Sequence, residues 1–247
     1  CRRSLRDLNP MPKNLRLLRR KIRTTENFWQ ITRAMSMVSA VQLRRVQQSV
    51  ESRSEYFRRL SAMLERVSAS STPVTHAYLT QPVQQRRIGL VIAAGDRGLC
   101  GSYNTNILRA ADDFIRRAGC RIDVIAVGAK AVLHARRRAY PLLEAYGSLR
   151  DCGDPTQAAQ ISRQIRRIFD DTDIDAMHVA YTRFASAARH VPTVTQLLPV
   201  LREHTEETVA VEYILEPDPQ QLIDNLLPMA VEAELGATHH ETVESLV

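Results

Sequence analysis

Between Pro12 and Pro73 the chain contains neither glycine nor proline, and this run constrains the fold more than any other feature. Pro12 can open a helix and Pro73 can close one, because proline lacks the amide hydrogen that a helix interior needs. Apolar residues step by three and four along the run: Leu15, Leu18 and Ile22, then Phe28, Ile31, Met35 and Val38, then Leu43, Val46, Val50, Phe57, Leu60 and Leu64. The pattern predicts a coiled-coil seam with a slip in register near its middle. At 1.5 Å per residue, roughly 55 helical residues extend about 80 Å. Ordinary globular helices hold about 11–12 residues. A stripe this long cannot be buried in a small domain. It needs a partner helix or a sheath of other chains.

The same run is basic. Lys13–Ser68 carries 13 basic and 4 acidic residues, whereas residues 69–247 carry 18 basic and 22 acidic ones. The formal net charge of +7 therefore belongs to the N-terminal segment. A basic helix raises nucleic-acid binding as a function. Its seam is apolar, however, and only Phe28, Trp29, Tyr56 and Phe57 are available for stacking, which argues against that class. The small residues Ala34, Ser36, Ser39 and Ala40 lie among Met35, Met37 and Val38. So smooth and adaptable a surface suits either close approach by another protein or plain helix packing, and the pattern alone does not choose.

After Pro82 the pattern changes to alternating strands and helices. Strands are predicted at Ile88–Ala94, Arg121–Val127, Leu142–Tyr146 and Ala176–Phe184, with further extended pieces at Val194–Pro199 and Thr208–Leu215. Helices are predicted at Thr105–Ala118, Ala129–Arg138 and Pro155–Asp170. Repeated βαβ units imply a mostly parallel sheet covered by helices. The stretch "EPDPQQLIDNLLPMAVEAEL" opens another helix, with Asp218 as N-cap, Pro219 as first helical residue and a kink allowed at Pro228.

"IGLVIAAGDRGLCGSYNTN", Ile88 to Asn106, joins a strand, three glycines and a helix, the order that cradles a phosphate. The details depart from both phosphate motifs. A Walker loop needs G-K-[ST] after its glycines, and "GDRGLCG" has no such ending. A dinucleotide turn needs G-x-G-x-x-G, and here the spacing is one residue too long. Asp96 would also confront a phosphate with a negative charge. A nucleotide-dependent enzyme stays open as a reading, but the residues favour a tight structural turn with Asp96 and Arg97 as local polar ties.

Other candidate sites are weaker. Asp171, Asp173 and Asp175 alternate like the start of a calcium loop, yet Ala176 stands where the loop needs glycine and Thr182 where it needs glutamate. His239, His240 and Glu241 have no further ligands nearby and read as a solvated helix face. Cys100 follows the glycine turn but has no histidine close in sequence, so it reads as a packed cysteine. Cys1, Cys100, Cys120 and Cys152 are scattered without C-x-x-C spacing, which points to a reducing compartment and away from zinc. No apolar run reaches the roughly 18 residues of a membrane span. "CRRSLRDLNPMP" lacks the apolar core of a secretory signal. Its arginines leave an organellar targeting remnant as an alternative, and Met11 reads as the natural start.

Three stretches in one frame resemble the γ subunit of F-type ATP synthase. They are "NLRLLRRKIRTTENFWQITRAMSMVSAVQLRRVQ", "GDRGLCGSYNTNI", and "VPTVTQLLPV" followed by "EPDPQQLIDNLLPMAVEAEL". The resemblance runs from about Asn14 to Leu235. It implies an α/β fold: a long N-terminal coiled-coil helix over 13–70, a Rossmann-like, mostly parallel foot over 83–215, and the start of a C-terminal shaft helix over 217–247. It also implies a rotor. In this family the terminal helices form an antiparallel coiled coil inside a ring of α and β subunits, and the foot lies against the ε subunit and the membrane c ring. Partner contact is implied for Arg33, Met35, Met37, Arg44 and Arg45 on the shaft, and for Asp96 and Arg97 at the glycine turn. No catalytic residue, cofactor, metal or nucleic acid is implied, since ATP chemistry belongs to the α/β interfaces. The implied location is peripheral, on the cytoplasmic face of a bacterial inner membrane or the matrix side in mitochondria.

The family's C-terminal helix continues with "S-E-H-A-A-R-M", whereas this chain reads "GATHHETVESLV", with Gly236 interrupting the helical pattern. The expectation is a truncated γ subunit or a shortened γ-like paralogue that binds ATP synthase subunits without transmitting torque. The body carries no long cysteine-bearing insertion, so chloroplast-type redox control is not supported.

Overall fold

The computed structural model describes residues 15–68, 76–98, 100–147, 155–186, 189–200 and 218–244. It divides into two compact units, Cys1–Gln42 and Leu43–Val247. Helix α1, Leu15–Ser68, supplies the described part of the first unit and opens the second. Its length follows from 54 residues without a breaker and rich in strong helix formers. Thr24, Thr25 and Thr32 are weak formers, and each donates its hydroxyl to the carbonyl four residues earlier.

In the first unit, every residue from Leu15 to Val41 is exposed except the half-buried Ser39. The apolar stripe is therefore uncovered: Phe28 is 65% exposed, Ile31 56% and Val38 57%.

The second unit is built on a five-stranded sheet of order β3-β2-β1-β4-β5. The strands are β1 (Arg87–Ala93), β2 (Arg121–Val127), β3 (Leu142–Tyr146), β4 (Ala176–Ser186) and β5 (Arg189–Leu198). β1 pairs in parallel with β2 and β4, and β2 with β3. β5 returns antiparallel along β4, with Val179 opposite Thr195. It begins five residues earlier than the apolar pattern at Val194 suggested, because pairing with β4 also recruits the polar residues from Arg189 on. The expected strand at Thr208–Leu215 lies outside the described residues.

Alternation along the strands divides the core between the two faces. Ile88, Leu90 and Ile92 of β1 meet Ile107 and Ala111 of α2 (Tyr103–Arg117) and Ala131 and Ala135 of α3 (Ala129–Arg137). On the other face, Val91, Met177 and Val179 pack with Ile161 and Ile165 of α4 (Pro155–Asp171) and Ile223, Leu227, Val231 and Leu235 of α5 (Pro219–Glu244). Val67, near the end of α1, joins this second cluster. Gly89 also faces it, and the Met177 sulfur fills the place of its missing side chain.

α5 starts as the sequence predicts, with an Asp218 carboxylate oxygen accepting from the Gln220 amide at 3.0 Å. The helix runs through Pro228 and through the buried Gly236 to Glu244. Gly236 does not break it. Glycine costs about 1 kcal/mol in a helix, and packing of Val231 and Leu235 in the turn just before it offsets so small a term. Polar ties hold α5 to the body: Arg166 of α4 bonds Glu232 at 3.3 Å and pairs with Asp170, which accepts from the Tyr78 hydroxyl. Burial first, then the Asp170 hydrogen bond, push the Tyr78 phenol up to about 12.

Candidate functional site

The glycine turn, Gly95–Gly101, lies at the carboxyl end of β1. Strand order reverses between β1 and β4, and open α/β sheets bind ligands beside such a reversal. Here both backbone groups of Gly95 are already engaged. The Gly95 amide donates to Asn104 Oδ1 at 2.8 Å, and the Gly95 carbonyl accepts from the Lys130 amide at 3.1 Å. Asn104 Nδ2 reaches back to the Arg97 carbonyl at 3.1 Å and to Cys100 Sγ at 3.0 Å. One asparagine in the first turn of α2 thus holds both ends of the loop.

The neighbouring helix N-terminus is filled as well. α3 has no acidic residue in its first turn, and its N-cap, Gly128, has no side chain to offer. Asp96 Oδ1 supplies the missing acceptor, taking the Ala129 amide hydrogen at 2.7 Å. The carboxylate sits where a helix N-terminus would hold a phosphate. Gly128 is required for the approach. Its φ is +94°, and a Cβ there would lie 1.9 Å from the Ala94 carbonyl oxygen. Asp96 is therefore a tie through its side chain. Arg97 is one through its backbone, and its side chain is exposed.

The shaft candidates occupy exposed helix surface. Arg33 and Met37 are four apart and share one face of α1, with Met35 turned to another. The Arg33 guanidinium stacks over the Trp29 ring, 5.3 Å from its centroid. Met35 and Met37 are 52% and 59% exposed. Arg44 is exposed, and the Arg45 side chain lies outside those described.

The strongest polar cluster was not apparent in the sequence. Asp112 of α2, 9% exposed, accepts from His134 Nε2 at 2.7 Å, Tyr140 Oη at 2.7 Å and Arg138 at 2.8 Å. Burial alone would raise the Asp112 carboxyl. The hydrogen bonds from His134 and Tyr140 and the nearby positive charge outweigh it and hold the group below its ordinary value of 3.8. Burial and this carboxylate push Tyr140 up to about 12. A similar pairing at the start of the sheet joins the fully buried Asp123 to Arg87 at 2.5 Å and Arg121 at 3.2 Å. The partners of Asp112 lie 22 to 28 residues away, and only the His134-x3-Arg138-x-Tyr140 spacing hinted at a shared site.

The calcium-like aspartates do not converge. Asp175 accepts from the Arg86 and Arg87 amides, while Asp171 and Asp173 face solvent. Among the described residues no group of three or more His, Cys, Asp or Glu could hold a metal ion, and no helix is long and apolar enough to cross a membrane.

The geometry thus describes a braced α/β body and a long helix whose surface is exposed over Leu15–Val41 except at Ser39. The ATP synthase family model matches residues 14–245. The ATP synthase gamma chain of Desulfitobacterium hafniense is 35% identical over 222 residues, covering 90% of this chain and 78% of the relative. That of Moorella thermoacetica is 32% identical over the same shares. Among solved structures, a central stalk and c-ring chain of Tetrahymena thermophila mitochondrial ATP synthase aligns with a TM-score of 0.63 at 18% identity, covering 87% of this chain and 93% of its own. A chain of the Euglena gracilis mitochondrial ATP synthase rotor aligns with a TM-score of 0.62 at 17% identity, covering 94% and 86%. At these identities the structural likeness is one of fold, whereas the sequence relatives carry the family. The chain belongs to the ATP synthase gamma-chain family.

Proposed function

We propose that this chain is the central-stalk γ subunit of an F-type ATP synthase, coupling rotation of the membrane c ring to changes at the nucleotide sites of an α/β hexamer. The observation that carries this reading is the family match over residues 14–245, which takes in both the long helix and the whole α/β body. In this reading 13–70 and 217–247 belong to the shaft and 83–215 to the foot. The exposed stripe of α1 supports it, since Phe28, Ile31 and Val38 offer an apolar face for other chains to cover.

Arg33, Met35, Met37, Arg44 and Arg45 meet the α and β subunits as the shaft turns. Arg97, held outward by the turn that Asp96 braces, faces the foot's partners, the ε subunit and the c ring. Each β subunit meets a different face of an asymmetric helix. Each face shifts the equilibrium of that nucleotide site only by its differential affinity for the site's conformations. A difference of about 1.4 kcal/mol changes such an equilibrium tenfold. The chain supplies contacts and no reacting group. Its complex is peripheral to the membrane, on the cytoplasmic face in a bacterium.

Co-expression with matching α and β subunits tests the reading. A stable, ATP-hydrolysing assembly containing this chain is expected. Rotation observed on immobilised assemblies would separate torque transmission from binding alone. Failure to co-purify, under conditions where α and β assemble around another γ chain, would overturn the proposal.

A further inference from the structure

Trp29 is the only tryptophan of the chain, and it stands on α1 60% exposed. It lies outside the three-four stripe, which passes through Phe28, Ile31, Met35 and Val38. Folding gains little from a ring left so open to water. What the ring does hold is Arg33, one turn further on, whose guanidinium lies 5.3 Å from its centroid. Spacing explains why Arg33 takes this partner. The residues three and four positions from it along the helix are Trp29, Gln30, Ser36 and Met37, and none is acidic. Among the described residues no carboxylate pairs with Arg33.

Stacking occupies only the flat face of a guanidinium. Its N–H donors lie in the plane and stay available, in the fork that matches a carboxylate. The ring also removes rotamers from a long side chain and shields one side of the charge from water. A carboxylate that meets the open edge therefore loses less entropy and feels a stronger attraction than it would at an unsupported arginine.

We propose that Trp29 is a positioning residue that holds Arg33 ready for a carboxylate of the surrounding α/β hexamer. The acidic character of the partner follows from charge. Lys13–Ser68 carries 13 basic residues against 4 acidic ones, and Arg33 has no acidic neighbour within a turn. Lysine at position 33 would keep the charge but lose the planar fork and the stacked geometry. The role rests on the rotor reading, which supplies the hexamer.

Two measurements test this. In the free chain, the Trp29 ring current should move the Arg33 side-chain proton resonances upfield. Trp29→Leu should abolish that displacement while circular dichroism shows the helix intact. In the assembly, competition against tagged parent chain for limiting α and β subunits gives relative affinity. Trp29→Leu should weaken association about two- to fivefold, the worth of an exposed cation–π contact. Trp29→Phe should retain part of the affinity, and the loss should shrink as salt rises. In an Arg33→Gln background the same Trp29→Leu change should cost markedly less. An equal loss in both backgrounds would show plain apolar contact and overturn the proposal, as would an absent ring-current displacement. Failure of the parent chain to assemble would refute the rotor reading and this role together. An assembled parent in which the Trp29 and Arg33 effects simply add would refute this role alone.

Discussion

Replacing Asp96 with alanine leaves the first turn of α3 without its carboxylate. The substitution removes the 2.7 Å contact to the Ala129 amide among its interactions, and Gly128 offers no side chain in its place. Loss of an N-cap acceptor costs about 1 kcal/mol, and removal of a negative charge from a helix N-terminus a further 0.3–1 kcal/mol, roughly. The site is partly buried, so screening is incomplete and about 2 kcal/mol is expected. For a unit of this size, that lowers the thermal midpoint by about 4–8 °C. Asp96→Asn keeps an acceptor without the charge and should lose about half as much. Urea unfolding followed by far-UV circular dichroism measures the difference, with an unchanged slope against denaturant confirming that the unfolded state is the same. Sulfate can take the vacated position and should stabilise Asp96→Ala beyond its general effect on the parent protein. A loss below about 0.5 kcal/mol, at unchanged slope, would refute the idea that this carboxylate fills the anion position of α3.

Three further substitutions probe the rest of the body. Gly128→Ala should cost about 4 kcal/mol in the same unfolding assay, from a left-handed backbone angle plus a clash with the unyielding Ala94 carbonyl; a neutral result would contradict the close approach. Asp112→Ala leaves His134, Tyr140 and Arg138 without their shared acceptor and should cost about 3 kcal/mol at neutral pH. The folded pKa of Asp112 lies below its ordinary 3.8, so its contribution is complete above that value and fades as pH falls through the depressed one. Parent and variant should therefore converge in acid, and a difference that persists there would point to packing instead. Burial pushes the Glu234 carboxyl from 4.5 up to about 7. Its charged form is the penalised one, so the penalty is absent below pH 4.5 and complete above about pH 7. Glu234→Gln should stabilise the protein by up to about 3 kcal/mol in alkaline buffer and by nothing in acid, and pH-independent stability differences would exclude that origin.

Several elements could be read directly from the sequence because their causes are local. Arg121–Val127 is a β-branched run between Gly119 and Gly128, and β2 has those same limits. Asp218 followed by Pro219 marks a helix start, and the carboxylate caps that helix. The unbroken run after Pro12 becomes a helix of 54 residues, since nothing in it could end one. The mismatch of the glycine turn with phosphate motifs was equally legible, because it is a matter of residue types one or two positions apart.

Folding settled what local rules could not reach. Asp96 lies 33 residues before the amide it caps, and Asp112 lies 22 to 28 residues before its donors. No propensity or period links such positions. They meet because β2 lies beside β1, which sets the start of α3 against the turn that leaves β1. Gly236 shows the reverse case, a local breaker kept helical by the packing around it. Backbone preference acts over a turn or two with energies near 1 kcal/mol. Burial and long-range hydrogen bonds depend on the path of the whole chain, and they gather the Asp112 cluster and brace the glycine turn.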